Sequence, residues 1–219
     1  NGLQASKMVG ANFNYEKSDR ETGRSLKMDG SVRWNHRDGD AWSRRSSENF
    51  IGSSSSFQNS VNQNFSRTNS WSANGLIEWT PDTLTNIMFR PSFSYSTNDS
   101  RSTSISATYN SNPYDFVSDA LDPAAIAQLE ALDQMVNTRS QTQLTYSESR
   151  KMNGMLQYNR RLNSMGRNFT LRADASYGNT ESQSLSLTNV HLYQATNNLG
   201  LNAYQTNRYS NTPTKNYTY

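Results

Sequence analysis

Residues 87–96 read Ile87-Met88-Phe89-Arg90-Pro91-Ser92-Phe93-Ser94-Tyr95-Ser96. The odd positions are apolar or aromatic, apart from the proline, and the even positions are mostly small and polar. In an extended chain successive side chains point to opposite faces, so this period of two writes an oily face and a wet face onto one strand. Pro91 lacks an amide donor, which predicts a bulge or a gap in the hydrogen-bond ladder there.

Working outward, 169–178 repeats the pattern. Phe169, Leu171, Ala173, Ala175 and Tyr177 alternate with Thr170, Arg172, Asp174, Ser176 and Gly178. Val9, Ala11, Phe13 and Tyr15 share one face, as do Met28, Gly30, Val32 and Trp34 opposite Arg33. Trp71, Ala73, Gly75, Ile77 and Trp79 share another opposite Glu78, with Leu76 out of pattern. Met152, Gly154, Leu156 and Tyr158 do the same, with Met155 out of pattern. A further strand is expected near 204–219, where Tyr209, Tyr217 and Tyr219 fall at odd positions. The predicted strands lie near 7–15, 26–36, 70–79, 86–96, 151–160, 168–178 and 204–219.

Two environments produce this pattern. One is a soluble sheet with core on one side and solvent on the other. The other is a membrane barrel with lipid outside and water inside. Composition separates them. Only 33% of the 219 residues are hydrophobic, below the roughly 45–50% of soluble domains, and mean hydropathy is -0.89. A chain that polar is expected to be disordered, yet 11% of it is aromatic. Half-polar strands joined by long polar loops reconcile those facts in a barrel. No run of 18 apolar residues is present, which excludes a transmembrane helix and leaves a barrel open. There is no cysteine, so disulfide scaffolds and thiolate metal sites are excluded, and a net charge of +3, dispersed, gives no nucleic-acid footprint.

Connection lengths alternate. Segments 16–24, 80–85 and 161–167 are short; 37–60, 98–149 and 180–203 are long. Short periplasmic turns and long extracellular loops are the rhythm of bacterial membrane barrels. That orientation puts Trp79, Tyr158 and Phe169 at the inner rim of the membrane and Trp34 and Tyr95 nearer the outer rim, where rings with an apolar body and a polar tip are favoured. Inside the second long loop, Asp122 as N-cap, Pro123 at the first helical position and the stripe Ile126, Leu129 and Leu132 predict one short helix packed on the barrel rim.

The expected lipid-facing residues are therefore Phe13, Trp34, Ile77, Trp79, Ile87, Phe89, Phe93, Tyr95, Leu156, Tyr158, Phe169, Leu171 and Tyr177. Arg33, Glu78, Arg90, Arg172 and Asp174 are expected to face an aqueous lumen, with Glu148 on or near the same side, as solvated charges that hold barrel shape.

Three segments carry a family resemblance: Asn35-His36-Arg37-Asp38-Gly39-Asp40, Ile87 through Tyr95, and Gln157-Tyr158-Asn159-Arg160-Arg161-Leu162-Asn163-Ser164-Met165-Gly166-Arg167-Asn168. In these the chain resembles the barrel domain of Bacteroidetes TonB-dependent receptors, over nearly its whole length. The resemblance implies an outer-membrane location, a parent barrel of about 22 strands with a plugged lumen, and nutrient uptake energised through TonB. The implied partners are outer-membrane lipid, the rest of the same barrel, TonB and a surface lipoprotein. Neither a plug domain nor a TonB box is legible here, and the alternation still runs at Tyr219, so transport is expected of a longer protein.

Chemistry is sparse. His36 and His191 are not at ligand spacing, and Asp38-Gly39-Asp40 lacks the oxygen ligands of a calcium loop and reads as a polar turn. No nucleophile elbow or phosphate loop occurs. No enzyme, cofactor or metal site is expected. Besides an uptake receptor, two readings stay open: a barrel subunit with a structural or assembly role, and a soluble secreted adhesin using Tyr and Trp as sugar platforms.

Overall fold

The computed structural model describes residues 2–51, 54–163 and 166–219. It is all-β. Seven strands form one antiparallel sheet in sequence order: β1 (Gly2–Asp19), β2 (Arg24–Ile51), β3 (Ser54–Asp82), β4 (Thr85–Tyr109), β5 (Met135–Arg161), β6 (Asn168–Leu192) and β7 (Ala203–Thr218). Each strand pairs with its chain neighbours alone, so the sheet is open, with β1 and β7 at its edges. An open antiparallel meander of this kind is the expected architecture for part of a barrel.

The strands are much longer than the alternation predicted. β3 has 29 residues and β2 has 28, about 90–95 Å of extended chain at ~3.3 Å per residue. A membrane β-strand needs only about 9–11 residues. The expected loops 37–60, 98–149 and 180–203 are consequently mostly strand. The pairing of β2 with β3 runs unbroken from Ser25↔Thr80 to Ile51↔Ser54, and Asp38-Gly39-Asp40 is ladder rather than turn. What remains as connection at that end is 110–134 between β4 and β5 and 193–202 between β6 and β7. The opposite connections are short as expected, at 20–23 and 83–84, with 162–167 described in part.

The prolines act locally. Between β3 and β4 the pairing lapses at Gly75–Leu76 opposite Arg90–Pro91 and resumes in the same register, so Pro91 makes a gap and not a bulge. The register shift sits instead between Trp79 and Asp82, around Pro81. A Cβ on Gly75 would come to 3.1 Å from Pro91 Cγ, so the glycine accommodates the ring across the ladder.

The helix forms where its caps predict. α1 (Pro123–Ala131) starts at Asp122, whose carboxylate accepts from the N–H groups of Ala124 and Ala125. It ends as the chain turns left-handed at Asp133, φ 54°, and Gln134 N–H donates to Leu129 O at 2.9 Å. Leu129 is buried and Ile126 partly so, but Leu132, expected on the same stripe, is exposed.

The buried cluster is small and lies at this end of the sheet. Ala107, Tyr109, Ala120, Leu129 and Met135 form it, with Phe57, Val117 and Tyr193 packed around. Tyr109 donates its phenol proton to Ala120 O, and burial pushes that phenol well above its ordinary range. Arg44 and Asp119 tie the loop to β2. By register, Phe57, Ala107 and Tyr109 share the face that carries Phe89 and Phe93, so the loop folds over that face rather than capping the rim edge-on.

Candidate membrane-facing surface

Residues directly opposite each other in a ladder project to the same face, so the six pairings sort every strand's side chains into two sets. One set contains five consecutive apolar rows. The first is Lys17–Leu26–Trp79–Ile87–Tyr158–Leu171. The second is Tyr15–Met28–Ile77–Phe89–Leu156–Ala173. Phe13–Gly30 and Gly154–Ala175 belong to the third, with Gly75 and Pro91 at the ladder gap between them. The fourth is Ala11–Val32–Ala73–Phe93–Met152–Tyr177–Tyr217, and the fifth is Val9–Trp34–Trp71–Tyr95–Arg150–Asn179–Lys215, apolar over β1 to β4 and polar over β5 to β7.

Every residue expected to face lipid lies on this face; Phe169, opposite Arg160, lies just below the first row. Arg33, Glu78, Arg90, Arg172 and Asp174 all lie on the opposite face. Glu148 does not: it stands on the apolar face, one row past Tyr95, and pairs with Arg150.

The height of this band is close to that of the apolar band of membrane barrels. Rows on one face are two residues apart, about 6.7 Å along the strand. Four such intervals make about 27 Å, and a strand tilt of ~40° reduces that to about 20 Å along the membrane normal, against an apolar band of about 25 Å in membrane barrels. The limiting rows are the aromatic ones. Trp79, Tyr158 and Phe169 bound one side, with Tyr158 and Phe169 edge-to-face at 6.4 Å. Trp34, Trp71 and Tyr95 bound the other, with the indoles 6.1 Å apart and the Arg150 guanidinium 5.8 Å from the Tyr95 ring centre. Trp71 was read onto this face in the sequence but not as a rim residue, and Arg150 was not singled out; the register places both in the row of Tyr95.

Among the described residues, no second layer covers this band. Trp71 is 47% exposed, Phe93 40% and Leu171 59%. A single-layer sheet in water buries its oily face against a second layer; here the second layer is lacking over five rows. Contiguous exposed apolar surface on that scale marks a membrane or partner contact.

The opposite face is polar and self-paired. Arg172 chelates Asp174, donating at 2.7 and 2.9 Å. Asn86 donates to Glu78 at 2.9 Å, and Lys27 lies 3.6 Å from Asp29. Leu76, Met88 and Met155 interrupt it as apolar neighbours.

Past the Trp34 row, the apolar face turns polar. His36 stacks 5.9 Å from Trp34. Hydrogen bonds to Asn69 and Asp38 hold the imidazole above its usual value. Asp38 also accepts from Arg67 at 2.8 Å, which draws its carboxyl below the ordinary range. These are charge-compensated side-chain networks. Among the described residues, no three His, Asp or Glu side chains gather as metal ligands. Comparison of the chain with models of known protein families, and with curated proteins, found no match.

Proposed function

We propose that this chain is a stretch of the wall of an outer-membrane β-barrel, and that the barrel is a TonB-dependent uptake receptor. The observation that carries the first half is the uncovered apolar band: five rows on one face, edged by aromatic rings, of bilayer thickness. In lipid that face is solvated by hydrocarbon, each ladder satisfies its own backbone groups, and the polar face lines an aqueous interior. The free edges at β1 and β7 then pair with further strands of the same barrel, because an open edge in hydrocarbon leaves backbone groups unsatisfied at several kcal/mol each.

The second half rests on the resemblance of the segments 35–40, 87–95 and 157–168. Strands that run far past the bilayer support it, since a wall standing tens of ångströms above the membrane frames a large vestibule for a substrate. In that role the chain does no chemistry. It shapes a lumen, and energy comes through TonB acting on the parent protein.

The test is fractionation of cells producing the parent protein. The expected result is recovery only from outer membranes with detergent, migration on gels that shifts on heating, and loss of substrate uptake when TonB is deleted. A chain that stays monomeric in plain buffer would contradict the membrane reading. Membrane insertion with uptake independent of TonB would contradict the receptor reading alone.

A further inference from the structure

On the band-bearing face, two polar rows follow Trp34–Trp71–Tyr95, and then the surface turns apolar a second time. The third row reads Leu3–Asp40–Phe65–Arg101–Leu144–Leu185–Tyr209. It floors a cleft of about 830 Å³. Phe65 is 37% exposed, Leu144 42% and Tyr209 64%, so this is an oily island in an otherwise hydrophilic zone, cut off from the membrane band.

Its rim is charged. Arg67, which lines the same cleft, is paired with Asp38. At the cleft Arg101 has no hydrogen-bond or ion-pair partner among the described residues, and Asp99, which makes no side-chain hydrogen bond, lies directly across the ladder from Arg67 and feels its charge. Asp40 orients the Gln63 amide, which donates to it at 3.0 Å. A guanidinium offers a fork of donors and a carboxylate two acceptors. Set around a floor of phenyl, phenol and leucine side chains, they suit a molecule with flat C–H faces and neighbouring hydroxyl groups.

We propose that this cleft binds an oligosaccharide, the sugar portion of a glycolipid in the surrounding outer leaflet. An acyl chain would desolvate Arg101 and Asp99 without giving either a new partner, which is costly. A simple phosphate would meet Asp40 and Asp99 as like charges. A sugar ring uses both surfaces, one face on Tyr209 or Phe65 and its hydroxyls on Arg101 and Asp99. The volume is that of a ligand site, typically about 300–1,000 Å³.

Position argues for the membrane source. Three rows past Trp34 is about 20 Å along the strand, or about 15 Å above the aromatic rim at a tilt of ~40°. On the outside of the wall, that is the height to which the sugars of an outer-leaflet glycolipid rise. The assignment rests on the membrane reading above.

The test uses the full-length barrel in lipid nanodiscs, with insertion confirmed by heat-modifiable migration. The probes are a lipopolysaccharide truncated to its core, the same core oligosaccharide freed from lipid, and phosphatidylglycerol. Binding of the glycolipid and, more weakly, of the free core is expected. Arg101→Ala and Tyr209→Ala should each weaken both by about tenfold or more, the loss of a charged hydrogen bond or of a stacking surface. An inserted barrel that binds neither sugar probe overturns the proposal. So does glycolipid binding unchanged in both variants, or a free glycan that binds while the glycolipid does not. Variants that alter only particle mass would assign the cleft to a protein partner instead. If the wild-type protein does not insert at all, it is the membrane reading that has failed, and the gel shows it.

Discussion

Replacing Phe93 by Arg puts a charge into the fourth of the five apolar rows. Phe93 lies one row from the middle of the band, about 5 Å from the midplane at a tilt of ~40°. Arginine on the lipid face costs about 2–4 kcal/mol at the midplane and about 0–1 near the interface, so about 2 kcal/mol is expected at this depth. Removing the phenyl ring from hydrocarbon adds about 1 kcal/mol, because the ring is only partly exposed. The sum, about 3 kcal/mol, lowers the folding equilibrium by roughly a hundredfold. Two neighbours serve as controls. Ser94→Arg introduces the same charge one residue away on the opposite face. Thr97→Arg keeps the face but moves past the Tyr95 row. Both should fall within about 0.5 kcal/mol of wild type. Urea unfolding of the vesicle-inserted barrel, followed by tryptophan fluorescence, measures all three. Equal losses at Phe93 and Ser94 would refute the two-sided reading, and a loss at Thr97 as large as at Phe93 would refute the placement of the outer rim.

Gly75→Val should destabilise the sheet by about 1–3 kcal/mol in the same unfolding assay, because a Cβ there meets Pro91, whereas Gly30→Ala, whose nearest contact is Asn74 O at 3.8 Å, should be near neutral. Leu129→Ala should cost about 2–5 kcal/mol through a cavity under α1, and Tyr109→Phe about 1 kcal/mol through the lost bond to Ala120; both should open 110–134 to proteases while the heat-shifted gel band persists. The loop tether should also depend on pH. The Arg44 guanidinium, helped by the Leu121 N–H, holds the Asp119 carboxyl below its ordinary value. A depressed carboxylate pKa contributes in full above the unfolded value, about 4, and is lost as pH falls through the folded value. Proteolysis of the loop by an acid-active protease should therefore accelerate below about pH 4, and Asp119→Asn should be equally sensitive at higher pH.

The part of the fold legible in the sequence is the part whose two faces differ in polarity. At 87–96 and 169–178 one face is apolar and the other polar, and the alternation of Phe89, Phe93 and Leu171 with Arg90, Ser94 and Arg172 records it. Past the Trp34 row most of the surface on both faces is polar. There 37–51, 98–109 and 180–192 are runs rich in Ser, Asn, Thr and Arg with no period, so a strand and a loop look alike in one chain. What holds them extended is backbone pairing, which has no side-chain signature. The helix was legible because its ends carry local chemistry, Asp122 and Pro123. The cleft at Phe65, Leu144 and Tyr209 was not, because those residues lie far apart in sequence and only the register places them on one row. Glu148 was misplaced for the same reason: its face is fixed by its partners Thr97 and Glu181, not by its polarity.

Nitroxide labels at Phe89, Phe93 and Leu171, and at Arg90, Ser94 and Arg172, can be read in the membrane-inserted protein by collision with oxygen, which concentrates in lipid, and with a nickel chelate, which stays in water. High oxygen and low nickel accessibility are expected for the first three, and the reverse for the second three. Similar nickel accessibility in both sets would contradict the two-sided reading.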